Sequence, residues 1–306
     1  MTHLIKNFRN FYCGLLALML IACGRVRRAR KRALSSNAIT AIYFHNPNKR
    51  LFTRCVRWLA GNGYTFISSA ELCDILHRRR SLPKGAVWLS FDDGFKGLLN
   101  AVVPAVHLKH IPITLFIPSG IIEGDGRFPW LHRDTGSVST GNHRETLRDS
   151  ISVEDVQELA KCPEVTIGSH TVHHFVTSNL TDAEARFEFL ESKLALESWT
   201  HKDVECFAYP EGRFDGRERR ILTEMGYRFA ATTQPEFVTL GSDPYLVPRF
   251  YIGDEISFPE AICNMVGVWR PAISPFIGLV ELLRRPADWP SLSSRDRKAS
   301  RINPSI

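Results

Sequence analysis

The sequence lacks several features that would define whole classes of protein. Its seven cysteines are an odd number without a closely spaced pair, so neither a disulfide framework nor a cysteine-ligated zinc site is predicted. It has no internal repeat, and no apolar run reaches the ~20 residues of a membrane-spanning helix. These absences exclude a disulfide-stapled module, a solenoid and an ordinary transmembrane anchor. The 306 residues, 44% of them hydrophobic, are sufficient for one catalytic domain with short appendages.

The net charge is small outside one short segment. The formal net charge is +7, but six basic residues lie within eight positions: Arg25, Arg27, Arg28, Arg30, Lys31 and Arg32. The rest of the chain is therefore close to neutral and has no basic face with interleaved aromatics, which argues against a nucleic-acid partner. A basic run beside an apolar stretch instead indicates contact with anionic lipid headgroups, hence a membrane surface as partner.

The N-terminal segment, residues 1–36, supports two hypotheses. Its apolar stretch from 11 to 22 has the length of a signal-peptide core, and the letters LIAC ending at Cys23 resemble a bacterial lipoprotein box. Cys23 would then be lipidated and the protein would lie in the bacterial cell envelope. The basic cluster after Cys23 opposes export, so the alternative is an anchor on the cytoplasmic face of the inner membrane.

Seven β-branched or apolar segments alternate with helical patterns from residue 38 onward, as in parallel strands joined by helices. The predicted strands are 38–44, 64–67, 86–91, 112–117, 164–168, 204–208 and 228–232. The α/β pattern predicts a distorted (β/α) barrel of about seven units over residues 37–270, with an open doubly wound sheet as the alternative. In both, chemistry lies at the carboxyl ends of strands.

The connecting segments carry further signals. Capping boxes begin predicted helices at Ser68, Ser152 and Thr181, each followed three residues later by an acid. Residues 120–150 contain five glycines and are predicted to form a long insertion beside the site. Residues 271–306 are predicted to be a C-terminal tail, mobile from 285 onward.

The first chemical motif is Asp92-Asp93-Gly94, directly after the third predicted strand. Adjacent carboxylates repel each other, and the arrangement becomes favourable when one binds a cation and the other accepts protons. The alternative is an acidic turn with glycine in the left-handed conformation.

The second motif places His170, His173 and His174 after the fifth strand. Histidines four apart share one face of a helical turn, the spacing at which two imidazoles reach one metal. The pair His170 and His173 remains an alternative, as does a polar loop without a metal.

The third motif, Tyr209-Pro210-Glu211-Gly212, follows the sixth strand. Such a turn can point a backbone amide towards a developing oxyanion. A plain turn explains it equally well.

Together these segments resemble the polysaccharide deacetylase (NodB homology) family. The resemblance rests on LSFDDG ending at Gly94, His170-Thr171-x-x-His174, and FAYP-x-G ending at Gly212, and covers roughly residues 38–252. It implies a distorted barrel that removes N-acetyl or O-acetyl groups from sugars. Asp93, His170 and His174 are the implied ligands of a divalent metal, zinc first, with nickel or cobalt as alternatives. Asp92 is the implied general base.

The sequence departs from the family pattern at two positions, which requires other candidates for the arginine and the general acid. Ala208 stands where many members have arginine, and no late Leu-x-His supplies the general acid. Tyr43-Phe44-His45 resembles the segment that opens the poly-N-acetylglucosamine deacetylase branch, which makes His45 the implied acid. Arg249 resembles a late arginine of that branch and would take over the contact with Asp92.

The sequence therefore predicts a hydrolase acting on an acetylated glycan, with Tyr209, Pro210 and Arg249 lining the substrate or oxyanion region. The rival hypothesis is a noncatalytic carbohydrate-binding or scaffold protein on the same fold. Release of acetate separates the two.

Overall fold

The computed structural model describes residues 2–131 and 148–274, with side chains from residue 7 onward. All seven predicted strands are confirmed within one or two residues: β1 Ala38–Phe44, β2 Thr65–Phe66, β3 Ala86–Phe91, β4 Ile113–Ile117, β5 Val165–Ser169, β6 Cys206–Ala208 and β7 Phe229–Ala231. Two further two-residue strands, β8 Val238–Thr239 and β9 Phe250–Tyr251, were not predicted.

The strands form a curled sheet in the order β7-β6-β5-β4-β3-β1-β8, with β2 beside β3 and β9 beside β1. Every pairing is parallel except β1 with β8. The segment from Val247 to β9 pairs first with Ala231 at the end of β7 and then with β1, so it connects the two sides of the curl. The predicted distorted (β/α) barrel is confirmed, and the open-sheet alternative is not observed.

Alternation along the strands divides the core into two layers. One layer lies within the curl and includes Ala41, Trp88, Phe116 and Ala208. Intervening strand residues such as Leu89 pack with the surrounding helices. Because successive strand side chains point to opposite faces, the inward positions of one strand continue in steps of two past its end.

Helices cover the outside of the sheet. After the N-terminal pair they are α3 Lys49–Gly61, α4 Ser69–Leu76, α5 Leu98–Ala101, α6 Val103–Lys109, α7 Ser119–Glu123, α8 Val153–Lys161, α9 Asp182–Thr200, α10 Glu218–Glu224, α11 Phe258–Met265 and α12 Trp269–Ile273. The capping boxes at Ser68, Ser152 and Thr181 are all present.

The predicted insertion 120–150 is corrected at its start, where α7 continues to Glu123. The middle of this insertion, residues 132–147, lies outside the described residues, as does the predicted tail from 275.

The N-terminal segment forms two helices, α1 Thr2–Ala22 and α2 Arg25–Ser35. Helix α1 packs against α11: the Cys263 thiol lies 3.7 Å from the Ala17 carbonyl, and Arg9 pairs with the buried Glu260. Among the described helices none alone has the length and apolar content to cross a bilayer, whereas 7–22 and 25–35 meet that criterion only as a pair bent by 67°.

The capping box of α8 yields a stability prediction. The Ser152 hydroxyl accepts a hydrogen bond from the Asp155 amide, so Ser152→Ala should lower the free energy of unfolding by about 1 kcal/mol. Ser198→Ala is the matched control, because the Ser198 hydroxyl is exposed and only donates to a carbonyl within α9. Urea unfolding of both variants checks this, and equal midpoints would contradict it.

Candidate active site and metal centre

The alternation of the strands brings the predicted residues to one edge of the barrel. His45, Asp92 and His170 each continue the inward positions of β1, β3 and β5 beyond the strand end. They line a cavity of about 760 Å³ together with Asp93 and His174. This size lies within the range of small-molecule sites.

Asp92 is buried and held by Arg249. The two terminal nitrogens of the Arg249 guanidinium each donate to one Asp92 oxygen at 2.8 Å, which is a bidentate ion pair. Arg249 is itself fully buried: it also donates to the Ser90 hydroxyl, and its guanidinium lies 4.4 Å from the centre of the Tyr43 ring. The late arginine therefore contacts Asp92.

Asp93 turns its side chain towards the histidines. The φ angle of Asp93 is 71°, in the left-handed region. This backbone conformation points the Asp93 carboxylate in a different direction from the adjacent Asp92 carboxylate. Asp93 Oδ1 lies 3.5 Å from His170 Nε2 and 3.3 Å from His174 Nε2, yet this buried oxygen has no hydrogen-bond partner.

The ligand atoms of these three residues lie within 4.8 Å of one another. A buried carboxylate oxygen without a hydrogen-bond partner beside two imidazole nitrogens fits a divalent cation, which would satisfy all three.

The tautomer of His170 follows from its neighbour. His170 Nδ1 lies 2.7 Å from the Ala208 carbonyl, which can only accept, so Nδ1 carries the proton. In the neutral imidazole, Nε2 then has the lone pair and faces Asp93, as a metal ligand requires. Burial lowers the pKa of His170, but Asp93 and Asp92 outweigh burial and raise it.

Burial and neighbouring charges also act in opposite directions on the pKa of the Asp93 carboxylate. Burial would raise the pKa of Asp93, but the contacts with His170 and His174 and the charge of His45 lower it well below its ordinary value. Asp93 is therefore ionised at neutral pH, which a ligand to a cation must be.

The segment carrying both histidines is not a helical turn, which corrects the sequence expectation. Thr171 and His174 have φ of 67° and 59°, and this reversal brings His174 back to 4.8 Å from His170, measured between ring centres. Trp130 lies 4.3 Å from the His174 ring and covers it. Trp130 falls in the region interpreted as an insertion, where no sequence signal marked it.

Glu188 on α9 shapes this segment. Glu188 is buried and its Oε2 accepts from the amides of Val172 and His173, while Oε1 accepts from His173 Nδ1 at 2.6 Å. His173 therefore points away from Asp93, and the alternative pair of His170 and His173 does not form. The sequence offered no signal for Glu188, which lies in an ordinary helical pattern.

His45 lies across the cavity from the histidine pair. Its Nε2 is 4.0 Å from Asp93 Oδ2, and its side chain is 30% exposed, so it can reach a substrate that enters the cavity. The rings of Tyr43 and Tyr251 pack edge-on against the imidazole at 5.7 and 5.2 Å.

The third motif is placed differently from the expectation. The Tyr209 amide donates to the Ala231 carbonyl at 3.0 Å, so this amide does not face an oxyanion. Pro210 is buried and starts a 3-10 turn, Pro210–Gly212, while Tyr209 and Glu211 line the cavity. Cys23 is exposed at the start of the link between α1 and α2, and all seven cysteines are free thiols.

The sequence is similar to that of several known proteins. Residues 79–230 match the polysaccharide deacetylase family model. YxkH of Bacillus subtilis is 22% identical over 209 residues, 68% of this chain and 66% of YxkH. The poly-beta-1,6-N-acetyl-D-glucosamine N-deacetylase of Staphylococcus aureus is 23% identical over 245 residues, 74% of this chain and 77% of that enzyme.

The structure of the Streptococcus pyogenes deacetylase PplD in complex with acetate shares the fold, with a TM-score of 0.61 and 19% identity over 74% of this chain and 98% of PplD. The chain belongs to the polysaccharide deacetylase family. It is thus classed with hydrolases of non-peptide carbon–nitrogen bonds.

The ligand cluster predicts stoichiometric binding of a divalent metal. His170→Ala with His174→Ala should abolish it, because one carboxylate cannot hold the ion alone. His173→Ala is the matched control and should retain metal, since His173 Nδ1 faces Glu188 instead. Elemental analysis of the purified variants checks this, and equal metal content in the double variant and the unaltered chain would contradict it.

Glu188 provides a second prediction. Glu188→Ala removes both accepting oxygens, so the amides of Val172 and His173 and the His173 imidazole lose their partner. We expect metal affinity to fall by about 10- to 100-fold, as for other residues that orient ligands. Glu191→Ala, at an exposed position on the same helix, should leave affinity unchanged. Competition with a chelator measures both, and equal affinities would show that Glu188 does not hold the segment.

Proposed function

We propose that the protein is a metal-dependent deacetylase that removes N-acetyl groups from a glycan built of N-acetylglucosamine. One observation carries the proposal: the buried, unpartnered oxygen of Asp93 lies beside the imidazoles of His170 and His174, next to a carboxylate that is separately paired. The likeness to the Staphylococcus aureus enzyme supports the substrate class.

Zinc is the metal we propose, because one carboxylate oxygen and two neutral imidazoles form a ligand set that zinc occupies in hydrolases. Nickel or cobalt fits the same ligands. When bound, such a cation acts as a Lewis acid that acidifies water and withdraws charge from the acyl oxygen.

The surrounding side chains then have separate tasks. Asp92 accepts the proton of the attacking water, using lone pairs that remain beside its two bonds from Arg249. Arg249 fixes the direction of that carboxylate. As the carbon–nitrogen bond breaks, His45 donates a proton to the leaving amine, and acetate and a free amine are the products.

The base is tested by Asp92→Asn. This variant keeps the shape but cannot accept the proton, so turnover should fall by ~10² to 10⁴ while the metal remains bound. Ser90→Ala is the control, because it removes one bond to Arg249 and leaves Asp92 charged. Acetate released from an N-acetylglucosamine oligomer is the readout, and Asp92→Asn with full turnover would exclude the assigned base.

The acid is tested by comparing two leaving groups. His45→Ala should slow amide hydrolysis by ~10² or more, because an amine leaves only when protonated. It should affect an aryl acetate much less, since a phenolate leaves unaided. If both substrates slow equally, His45 binds substrate or shapes the site and does not donate the proton.

A carbohydrate-binding scaffold on this fold would bind the same oligomer and release no acetate. Acetate release by the metal-loaded chain therefore decides between the two functions.

A further inference from the structure

Helix α1 exposes its most apolar side. Six large side chains between 51% and 66% exposed occupy one stripe, which we term the apolar face of α1: Phe8, Phe11, Tyr12, Leu15, Leu18 and Met19. At 100° per residue they span an arc of about 120°. Scattered exposed hydrophobics are ordinary, but a continuous stripe indicates a binding surface.

The opposite side of α1 belongs to the folded domain. Gly14, Ala17 and Leu20 are buried against it, and a β-carbon at Gly14 would lie 3.3 Å from the Ser257 hydroxyl. Small residues therefore allow α1 and the start of α11 to approach closely. Arg9 binds Glu260, and the Asn10 side chain donates to the Glu255 carbonyl. Helix α1 is thus attached along its length.

The next helix adds positive charge. Five of its six basic side chains are exposed, and three of them line a cavity of about 670 Å³ between α2 and the start of α12. These are Arg25, Arg28 and Arg32, at the spacing that aligns side chains on one side of a helix. We term this cavity the arginine groove.

We propose that the apolar face of α1 and the arginine groove together bind the surface of an anionic lipid bilayer, with α1 lying in the plane of the membrane. An apolar stripe enters the acyl boundary, while adjacent arginines bind phosphate headgroups. Neither helix needs to cross the bilayer.

Charge decides between a bilayer and a second copy of the chain. Neither α1 nor α2 contains an acidic residue, so a second copy that docks through α1 brings no counter-charge for the arginine groove. Anionic headgroups instead attract every exposed basic residue of α2. A bilayer therefore satisfies both parts of the surface.

The contacts between α1 and α11 also favour a mature protein that retains α1. Processing before Cys23 would remove Gly14, Ala17 and Leu20, and would expose the side of α11 that they cover. Of the two N-terminal hypotheses, the anchor is the one that keeps this interface.

The surface lies beside the rim of the active site. Asn10 of α1 binds Glu255, and the adjacent Asp254 accepts from the amide of Asn46, the residue after His45. A chain bound through α1 keeps its cavity near the bilayer, where a membrane-associated glycan would meet it.

Flotation with vesicles tests the proposal, using the full-length chain. It should float with phosphatidylglycerol–phosphatidylethanolamine vesicles and not with phosphatidylcholine vesicles. Phe11→Ser, Leu15→Ser and Leu18→Ser together should lower binding at least ~10-fold. Arg25→Gln, Arg28→Gln and Arg32→Gln together should lower it about 100-fold.

The matched control lies on α9, where three apolar side chains are exposed at helical spacing: Phe187, Leu190 and Leu194. Their replacement by serine should leave flotation unchanged. Thermal unfolding of each variant shows that the domain remains folded. Intact mass should show an unprocessed chain, and Cys23→Ser should float like the unaltered protein.

Several outcomes would overturn the proposal. Binding that is equal for both vesicle types, or unaffected by the α1 and α2 variants, excludes this surface. A dimer that the α1 serine variant dissociates would assign the apolar face to a second copy. A mature chain beginning at lipidated Cys23 would show that α1 is a leader.

Discussion

The buried ion pair between Asp92 and Arg249 is the interaction on which the site depends. Arg249 lies on the segment that connects β7 to β1, and Asp92 lies at the end of β3, so the pair joins two sides of the curled sheet. Removing either partner would leave an unpaired buried charge, which costs about 3–5 kcal/mol. The same ion pair orients the Asp92 carboxylate, which faces the cavity. One interaction therefore both joins the two sides of the sheet and sets the direction of the base.

The neighbouring carboxylates of Asp92 and Asp93 have different partners. Asp92 obtains its counter-charge from the protein, whereas Asp93 faces the imidazoles of His170 and His174 and has an oxygen without a hydrogen-bond partner. The left-handed backbone at Asp93 separates the two directions. A buried carboxylate oxygen without a hydrogen-bond partner, beside two imidazole nitrogens, is the physical reason to expect a cation there. The Ala208 carbonyl completes the arrangement by selecting the tautomer of His170.

Much of this architecture could be predicted from local pattern. Apolar, β-branched runs between helical patterns identified the seven main strands, and strand parity explains why His45, Asp92 and His170 meet at one edge. The turn around His174, the role of Glu188 and the bond from the Tyr209 amide to Ala231 could not be predicted. The roles of Glu188 and of the Tyr209 amide depend on partners that are distant in sequence. The turn around His174 depends on individual backbone dihedrals, which produce no periodic pattern in the sequence. The side of α1 that is buried likewise depends on α11.

Anomalous diffraction from crystals of the zinc-loaded protein tests the central claim most directly. We expect one strong zinc peak within bonding distance, about 2.0–2.2 Å, of Asp93 Oδ1, His170 Nε2 and His174 Nε2. Asp92 should remain paired with Arg249 and outside the ligand set. A peak bound by Asp92 or by His173, or a cluster without any zinc, would contradict the account.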